Sequence, residues 1–557
     1  MSKILFVNPN ICIVDREKDH YSVMEHLGLG LLSAMLVGTD HEVSILDCYA
    51  LDLENSDAIT EIKKQQPDFL GITANYLNFD SAVEIARQAH LLFPDMYLFL
   101  GGEHCTYSSH EILERYTFVD AIIRGEGEDT LLELIAKAPD LYGVLGVHFR
   151  NKTQGRIVKN PDRPGITNLD EIPFANRAML DYCKKHNMTT AIGMLAQRGC
   201  NHQCSFCNAN SFFRMGGGLP IRRRSPQNVV KELAELYSKY YLHGNIEKVY
   251  FHDANFIDGS LQSKEWAIAL AQEIVAQDVV MPFEIYLRGD SLKTGDDEVV
   301  LSLKKAGLEA VFVGIESFSD NDLDFYQKDI TSDQLIEGMD ILKKHRVLGP
   351  TAGVIMFNPF STDDGLIQTA RVLSRYGYAS FWNLSQKLQL FPGVKLVKEL
   401  KEEKLLVGYD STNKVYSYKI QDPCIEALSG YLLSLNQHPT IILDNALPRQ
   451  IMTELSRILN RLELLQFYNG HIDKLIQPLQ KQHEALNALN VSFFIDTVRR
   501  FRSGEDMAGV EMATNKYLIA LSERLNFLEE SFNSTLRLLH EHIIGEKSST
   551  EGITALS

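Results

Sequence analysis

The sequence has no apolar run long enough to cross a bilayer. Its most apolar early stretch, Leu27 to Gly38, is about a dozen residues, against about 20 for a spanning helix. It has no excess of positive charge: 55 Lys and Arg stand against 73 Asp and Glu, a formal net charge of −18. That balance argues against a nucleic-acid partner, which needs a basic face. No secretory leader is expected, because Met1-Ser2-Lys3-Ile4-Leu5-Phe6-Val7 runs straight into a strand-like segment without an apolar core region or a small-residue cleavage site. A cytoplasmic protein is expected. Eight cysteines in 557 residues are too few for a disulfide scaffold. There is no repeat of solenoid period and no low-complexity tract. A hydrophobic fraction of 45% with 23% charged residues excludes global disorder, and the length suggests about three or four domains.

What is present is an alternation of short apolar strands with helical stretches. Over residues 1–150 the strands are Ile4–Val7, Glu42–Leu46, Phe69–Thr73, Tyr97–Leu100 and Ala121–Arg124, and the intervening segments carry helical spacing. Such alternation implies a doubly wound parallel sheet that binds ligands beyond the carboxyl ends of its strands. Residues 151–187, with Pro161, Pro164 and Pro173, read as a linker. Over 188–410 the pattern resumes with six strand candidates, Ala191–Ala196, Lys248–His252, Phe283–Leu287, Ala310–Ile315, Gly353–Phe357 and Leu384–Leu390. Six β/α repeats make a partial barrel, two short of the closed eightfold form. Residues 411–545 are mostly helical, with Tyr431, Phe467 and Tyr468 as core, and 546–557 read as a disordered tail.

Five cysteines, Cys12, Cys48, Cys105, Cys183 and Cys424, are scattered and read as buried small hydrophobes. The other three sit in Arg198-Gly199-Cys200-Asn201-His202-Gln203-Cys204-Ser205-Phe206-Cys207, a C-x3-C-x2-C spacing directly after the first strand of the second region. Three thiolates on one tight loop can ligate three irons of a [4Fe-4S] cube and leave the fourth open for a substrate, whereas electron-transfer clusters take four cysteines. The alternative is structural zinc with His202 as fourth ligand, but no second distant Cys pair closes the tetrahedron.

In that context the barrel region resembles the radical S-adenosylmethionine (SAM) superfamily. Phe251-His252-Asp253-Ala254-Asn255-Phe256 is similar to the motif after its second strand. Gly314-Ile315-Glu316-Ser317 looks like its nucleoside-contacting segment, and Leu390-Phe391-Pro392-Gly393 like its exit motif, with valine following where threonine is commoner. The resemblance implies that Cys200, Cys204 and Cys207 hold the cluster, and that SAM chelates the open iron and is cleaved to a 5′-deoxyadenosyl radical. It gives Phe206, Asp253, Asn255, Arg288, Glu316 and Ser317 as SAM contacts. A helix cap or a surface ion pair is the alternative for the polar ones.

The first region contains no G-x-G-x-x-G, so the ordinary dinucleotide fingerprint is absent. In order it carries Asn8-Pro9, Leu27-Gly28-Leu29-Gly30, Gly71-Ile72-Thr73, Gly101-Gly102-Glu103-His104-Cys105-Thr106 and Arg124-Gly125-Glu126-Gly127-Glu128. These resemble the cobalamin (B12)-binding domain that precedes the barrel in class B radical SAM enzymes. The resemblance gives Asn8, Gly28, Thr73, Asn75, Tyr76, Leu77, Gly101, Gly102, Glu103, His104, Thr106, Gly125 and Glu126 as cobalamin contacts. Asp19 and His20 are adjacent and no D-x-H-x-x-G motif occurs, which implies base-off cobalamin without a histidine from that motif. Asn75-Tyr76-Leu77-Asn78 is the candidate for the lower face of cobalt.

The class implies methylation of an unactivated carbon of a specialised-metabolite or peptide substrate, with an electron donor such as flavodoxin or ferredoxin. Cyclisation or rearrangement with the same cofactors is the alternative. A non-catalytic sensor leaves the SAM motifs unexplained. A methylthiotransferase needs a second cluster from Cys12, Cys48 and Cys105 and leaves Gly101-Gly102-Glu103-His104 without a role. The helical region 411–545 is expected to cover the barrel mouth.

Overall fold

The computed structural model describes residues 1–11, 24–464 and 467–547. Cys12, Asp19-His20 and the tail from residue 548 lie outside the described residues. The chain divides into two compact units. The first is Met1–Tyr286 with Leu390–Glu402 and Gly408–Ser417; the second is Leu287–Gln389 with Glu403–Val407 and Tyr418–Ser557.

The first unit opens with strands β1 (Lys3–Asn8), β2 (Glu42–Asp47), β3 (Phe69–Thr73), β4 (Tyr97–Gly101), β5 (Ala121–Ile123), β6 (Val147–Asn151) and β7 (Arg156–Lys159), hydrogen-bonded in the order β2-β1-β3-β4-β5-β6-β7. The first five pair parallel, as the βα alternation requires. The last two add antiparallel, a hairpin that enters the stretch read as a linker, which also contains the helix Ala178–His186. Successive residues of β1 feed opposite faces. Leu5 and Val7 join Leu70, Leu98, Ile62 and Ile85 in one core, while Ile4 and Phe6 join Phe99, Leu29 and Leu134 in the other. A sheet covered on both faces leaves its carboxyl edge for ligands, and the crevice opens where the strand order reverses, between β1 and β3.

The first unit continues with β8 (Thr190–Met194), β9 (Gln197–Gly199), β10 (Ile221–Arg223), β11 (Ile246–Phe251) and the start of β12 (Phe283–Arg288). Strands β8, β11 and β12 run parallel side by side. β9 and β10 form an antiparallel hairpin whose connection carries all three clustered cysteines. Local signals place the helices. Ser225 caps Pro226–Lys239 from its side chain with proline in the first turn, and Thr331 with Gln334 forms the expected capping box on Ser332–Lys344.

In the second unit the order runs from the end of β12 to β13 (Leu308–Glu316) and β14 (Leu348–Val354), with β13 and β14 parallel. The expected sixth strand, Leu384–Leu390, is not a ladder. Its start belongs to the helix Phe381–Ser385, and pairing survives as isolated bridges, parallel from Lys387 to Phe357 and antiparallel from Leu390 to Tyr416. Ser380 supplies the reason, since its side chain caps that helix at Asn383 and commits the apolar run to one helical turn. The helices Pro423–Leu435, Pro439–Leu464, Gly470–Ser503 and Met507–Lys547 form the C-terminal part. Among the described residues no helix is long and apolar enough to cross a membrane. Cys48, Cys105 and Cys183 are buried as expected, whereas Cys424 is partly exposed because it stands in the first turn of its helix.

Candidate active site

The carboxyl edge of the first sheet is built from short polar side chains that fasten one another. Asn8 donates to Asp47 Oδ1 at 2.7 Å, and Asn78 donates to Asn8 Oδ1 at 3.3 Å. Asn75 Oδ1 accepts from the backbone N–H of Leu77 and Asn78, while Asn78 Oδ1 accepts from that of Asn75. The loop 75–78 is thereby closed on itself, with Asn75, Tyr76 and Leu77 left partly open. The ring of Tyr76 lies 4.4 Å from that of Phe391, in the segment that returns to this unit.

Thr73 and Gly28 meet the same imidazole. His26 caps the helix Leu27–Ala34 by accepting from Leu29 N at its Nδ1, and its Nε2 lies 3.3 Å from Thr73 Oγ1. Burial pushes its pKa down, so the ring is neutral; an accepting Nδ1 then puts the proton on Nε2, which donates to Thr73. At Gly102, φ is +102° and a Cβ would lie 2.7 Å from the Ala74 carbonyl, so only glycine lets the backbone pass there. The neighbouring Gly101 is open, with the nearest atom to a Cβ at 3.8 Å.

Several residues expected in this crevice are used elsewhere. His104 is buried with its ring 4.5 Å from Phe79, and burial lowers its pKa to about 4, so it is a neutral core side chain. Thr106 braces two glycine loops, donating to the Gly102 carbonyl and accepting from Gly125 N. Glu126 is taken up by two guanidinium groups, Arg198 and Arg222. Glu103 is exposed, accepts from Asn208 Nδ2, and has its pKa raised by desolvation. It therefore touches the residue that follows Cys207.

The cysteine loop is braced from several sides. Asn210 donates to the carbonyls of Cys200 and His202, Leu396 N donates to the Ser205 carbonyl, and Tyr107 donates to the Asn208 carbonyl at 3.0 Å. Gly199, at φ +92°, has the Pro220 carbonyl where a Cβ would stand. Cys200, Cys204 and Phe206 are partly exposed and Cys207 is exposed. Among the described residues no three His, Cys, Asp or Glu side chains converge tightly enough to hold one metal ion.

Asp253 and Asn255 support the base of this loop. Asp253 Oδ1 accepts from Ala196 N and Gln197 N at 2.9 Å, and the Asn255 carbonyl accepts from the Gln197 side chain. Both are fully buried, while His252 between Phe251 and Asp253 is open to solvent. Desolvation raises the Asp253 pKa to about 7.

Arg288, Glu316 and Ser317 lie in the second unit. Arg288 pairs with Asp290 and donates to the Lys328 carbonyl at 2.6 Å. Ser317 donates to Asp322 and packs on Thr369 inside the core. Glu316 accepts from Lys328 Nζ at its Oε1. Sequence reasoning missed Lys328, Arg198, Arg222 and Glu128. Only the run of alternating charge in Arg124-Gly125-Glu126-Gly127-Glu128, facing Arg198 beside the cysteines, could have suggested part of this set.

Comparison with known proteins bears on the two domains. Residues 19–135 match the B12 binding domain and residues 194–373 the radical SAM superfamily. An uncharacterized methyltransferase of Pyrococcus horikoshii is 32% identical over 322 residues, covering 57% of this chain and 66% of that protein. The anaerobic magnesium-protoporphyrin IX monomethyl ester cyclase of Rubrivivax gelatinosus is 27% identical over 325 residues, covering 55% and 54%. The chain thus spans about two thirds of the first relative and about half of the second. The structure of the cobalamin-dependent S-adenosylmethionine radical enzyme OxsB with aqua-cobalamin bound superposes with a TM-score of 0.69 at 17% identity, over 94% of this chain and 84% of that one, and shares its fold. The chain belongs to the cobalamin-dependent radical SAM enzymes, a family whose cofactors are cobalamin and SAM with an iron–sulfur cluster.

Proposed function

We propose that this chain methylates an unactivated carbon of a specialised-metabolite or peptide substrate. The observation that carries the reading is that a C-x3-C-x2-C loop and a sheet-edge crevice of B12-binding type occur in one compact unit and are fastened to each other by direct side-chain bonds. The residues fit the cofactors: three thiols on a braced loop suit a cube, and the backbone freedom at Gly102 suits a bulky ring lying close. When bound, these cofactors supply a deoxyadenosyl radical and a methyl donor.

The chain's own groups do the rest. Cys200, Cys204 and Cys207 hold the cluster. Asp253 and Asn255 fix the backbone that leads into them. Glu316 would accept from a SAM hydroxyl, with Arg288 acting behind it through the Lys328 carbonyl and Ser317 through Asp322 and Thr369. The Asn75–Asn78 loop would present Tyr76, and no imidazole of its own, to bound cobalamin. Electrons come from a flavodoxin or ferredoxin type donor. The relatives in this class include a hopanoid C-3 methylase from Methylococcus capsulatus, in keeping with methylation. The likeness to the Rubrivivax cyclase favours one second reading, ring closure with the same cofactors.

The test is anaerobic purification and reconstitution with iron, sulfide and hydroxocobalamin. About four irons and one cobalt per chain are expected, with the iron lost and the cobalt kept after Cys200→Ala, Cys204→Ala and Cys207→Ala together. A product heavier by one methyl supports methyl transfer, and SAM consumption without it supports cyclisation. Zinc in place of iron would sink both.

A further inference from the structure

Arg198 and Arg222 face each other directly across the β9–β10 hairpin. Two like charges at such a pair repel, and both side chains are nearly buried, at 7% and 1% exposure. The arrangement is stable only as a socket for carboxylates, and the loop after β5 supplies two. Arg198 donates to Glu126 at 2.9 Å and to Glu128 at 2.5 Å, while Arg222 holds Glu126 and the Ile166 carbonyl. The cage sets two nearly buried guanidinium groups against two carboxylates.

Such a cage adds little net stability over apolar packing, and its best-attested use is to fix register. Its placement says which register. On one side Arg198 precedes Gly199-Cys200. On the other, Gly125 N bonds Thr106 Oγ1, which donates to the Gly102 carbonyl at the crevice. A short chain of contacts therefore runs from the crevice glycine to the first cysteine.

We propose that Arg198 is a positioning residue that locks the cysteine loop to the B12-type sheet and so sets the spacing of the two cofactors. This rests on the functional reading above. The test needs no substrate. In dithionite-reduced protein, a paramagnetic cluster nearby speeds the spin relaxation of cob(II)alamin, which power saturation of its EPR signal reads directly. In Glu128→Gln and Arg198→Met the enhancement is expected to fall several-fold at unchanged iron and cobalt per chain. The exchange Arg198→Glu with Glu128→Arg is expected to restore part of it. A lower melting temperature alone leaves the enhancement where it is.

Glu128→Gln decides where Arg198→Met fails to assemble a cluster, because Glu128 is remote in sequence from the cysteines. An unchanged enhancement in Glu128→Gln overturns the proposal. Loss of cobalt there with iron retained also overturns it, by making Glu128 a cobalamin contact. A wild type holding both metals without enhancement does the same. A wild type that takes up no cobalt instead fails the functional reading, a result visible before any variant is made.

Discussion

Lys328, with no exposed side-chain surface, donates from Nζ to Glu316 Oε1 at 2.6 Å and to the Gly314 carbonyl at 2.6 Å. Glu316 ends β13 at φ +62°, a left-handed conformation that costs about 1–3 kcal/mol and persists only where the surroundings impose it. The ammonium group is what imposes it, bonding the strand end and the carboxylate together. Lys328→Met leaves both without a donor in the interior. Unfolding free energy, measured in urea, is expected to drop by about 3–5 kcal/mol. Affinity for S-adenosylhomocysteine, measured by calorimetry on the reconstituted protein, is expected to fall about tenfold or more, as loss of a bond to a charged group predicts.

Asp253 gives a pH dependence of unusual sign. Its pKa is raised from 3.8 to about 7, chiefly by burial, so the folded state binds the proton more tightly than the unfolded chain. Its contribution to stability is full below about pH 4, falls as pH rises to about 7, and is level above. The difference in unfolding free energy between wild type and Asp253→Asn is therefore expected to shrink across that window, as denaturation at pH 5, 6, 7 and 8 would record. A constant difference would count against a protonated Asp253.

The two adjacent glycines separate fold from ligand. Gly102→Ala meets the Ala74 carbonyl and a positive φ, and is expected to destabilise the first unit by about 1–3 kcal/mol. Gly101→Ala meets no atom closer than 3.8 Å, so its melting temperature is expected to stay unchanged. If the ring of cobalamin passes over this edge, Gly101→Ala nevertheless weakens cobalamin uptake, read from cobalt per chain after gel filtration.

Tyr76 lies in the Asn75–Asn78 loop, partly open, with its ring packed at a tilt of 38° and 4.4 Å from that of Phe391. Tyr76→His places an imidazole there. A shift in the visible spectrum of bound cobalamin towards a nitrogen-ligated form is expected, and an unchanged spectrum would move the lower face of cobalt elsewhere.

Much of the fold was legible because its signals are local. The β1 alternation of Ile4, Leu5, Phe6 and Val7, the Ser225-Pro226 start and the Thr331 to Gln334 box each act within a few residues. The cysteine loop was legible for the same reason. Most of the losses are long-range. Glu126 stood in a glycine-rich run that suits a ligand, but Arg198 and Arg222 reach it from 72 and 96 residues away. His104 was read for its imidazole, and Phe79 decides its fate. The sixth strand failed because Ser380 could begin a helix as readily as Leu384–Leu390 could extend a sheet. Lys328 carried no motif, since a buried lysine is recognisable only once its acceptors are in place.

The segments Leu390–Glu402 and Gly408–Ser417 return to the first unit, where Phe391 meets Tyr76 and Lys414 pairs with Asp80. The first 150 residues are accordingly not a detachable module. Transplanted onto another barrel they would bring Glu126 and Glu128 without their guanidinium partners, and Tyr76 without its lid. A working chimera between members of this class has to exchange the B12-type sheet together with the β9–β10 hairpin and the stretch after residue 390. Recombination in nature meets the same constraint, so these three pieces, far apart in the gene, are expected to travel as one.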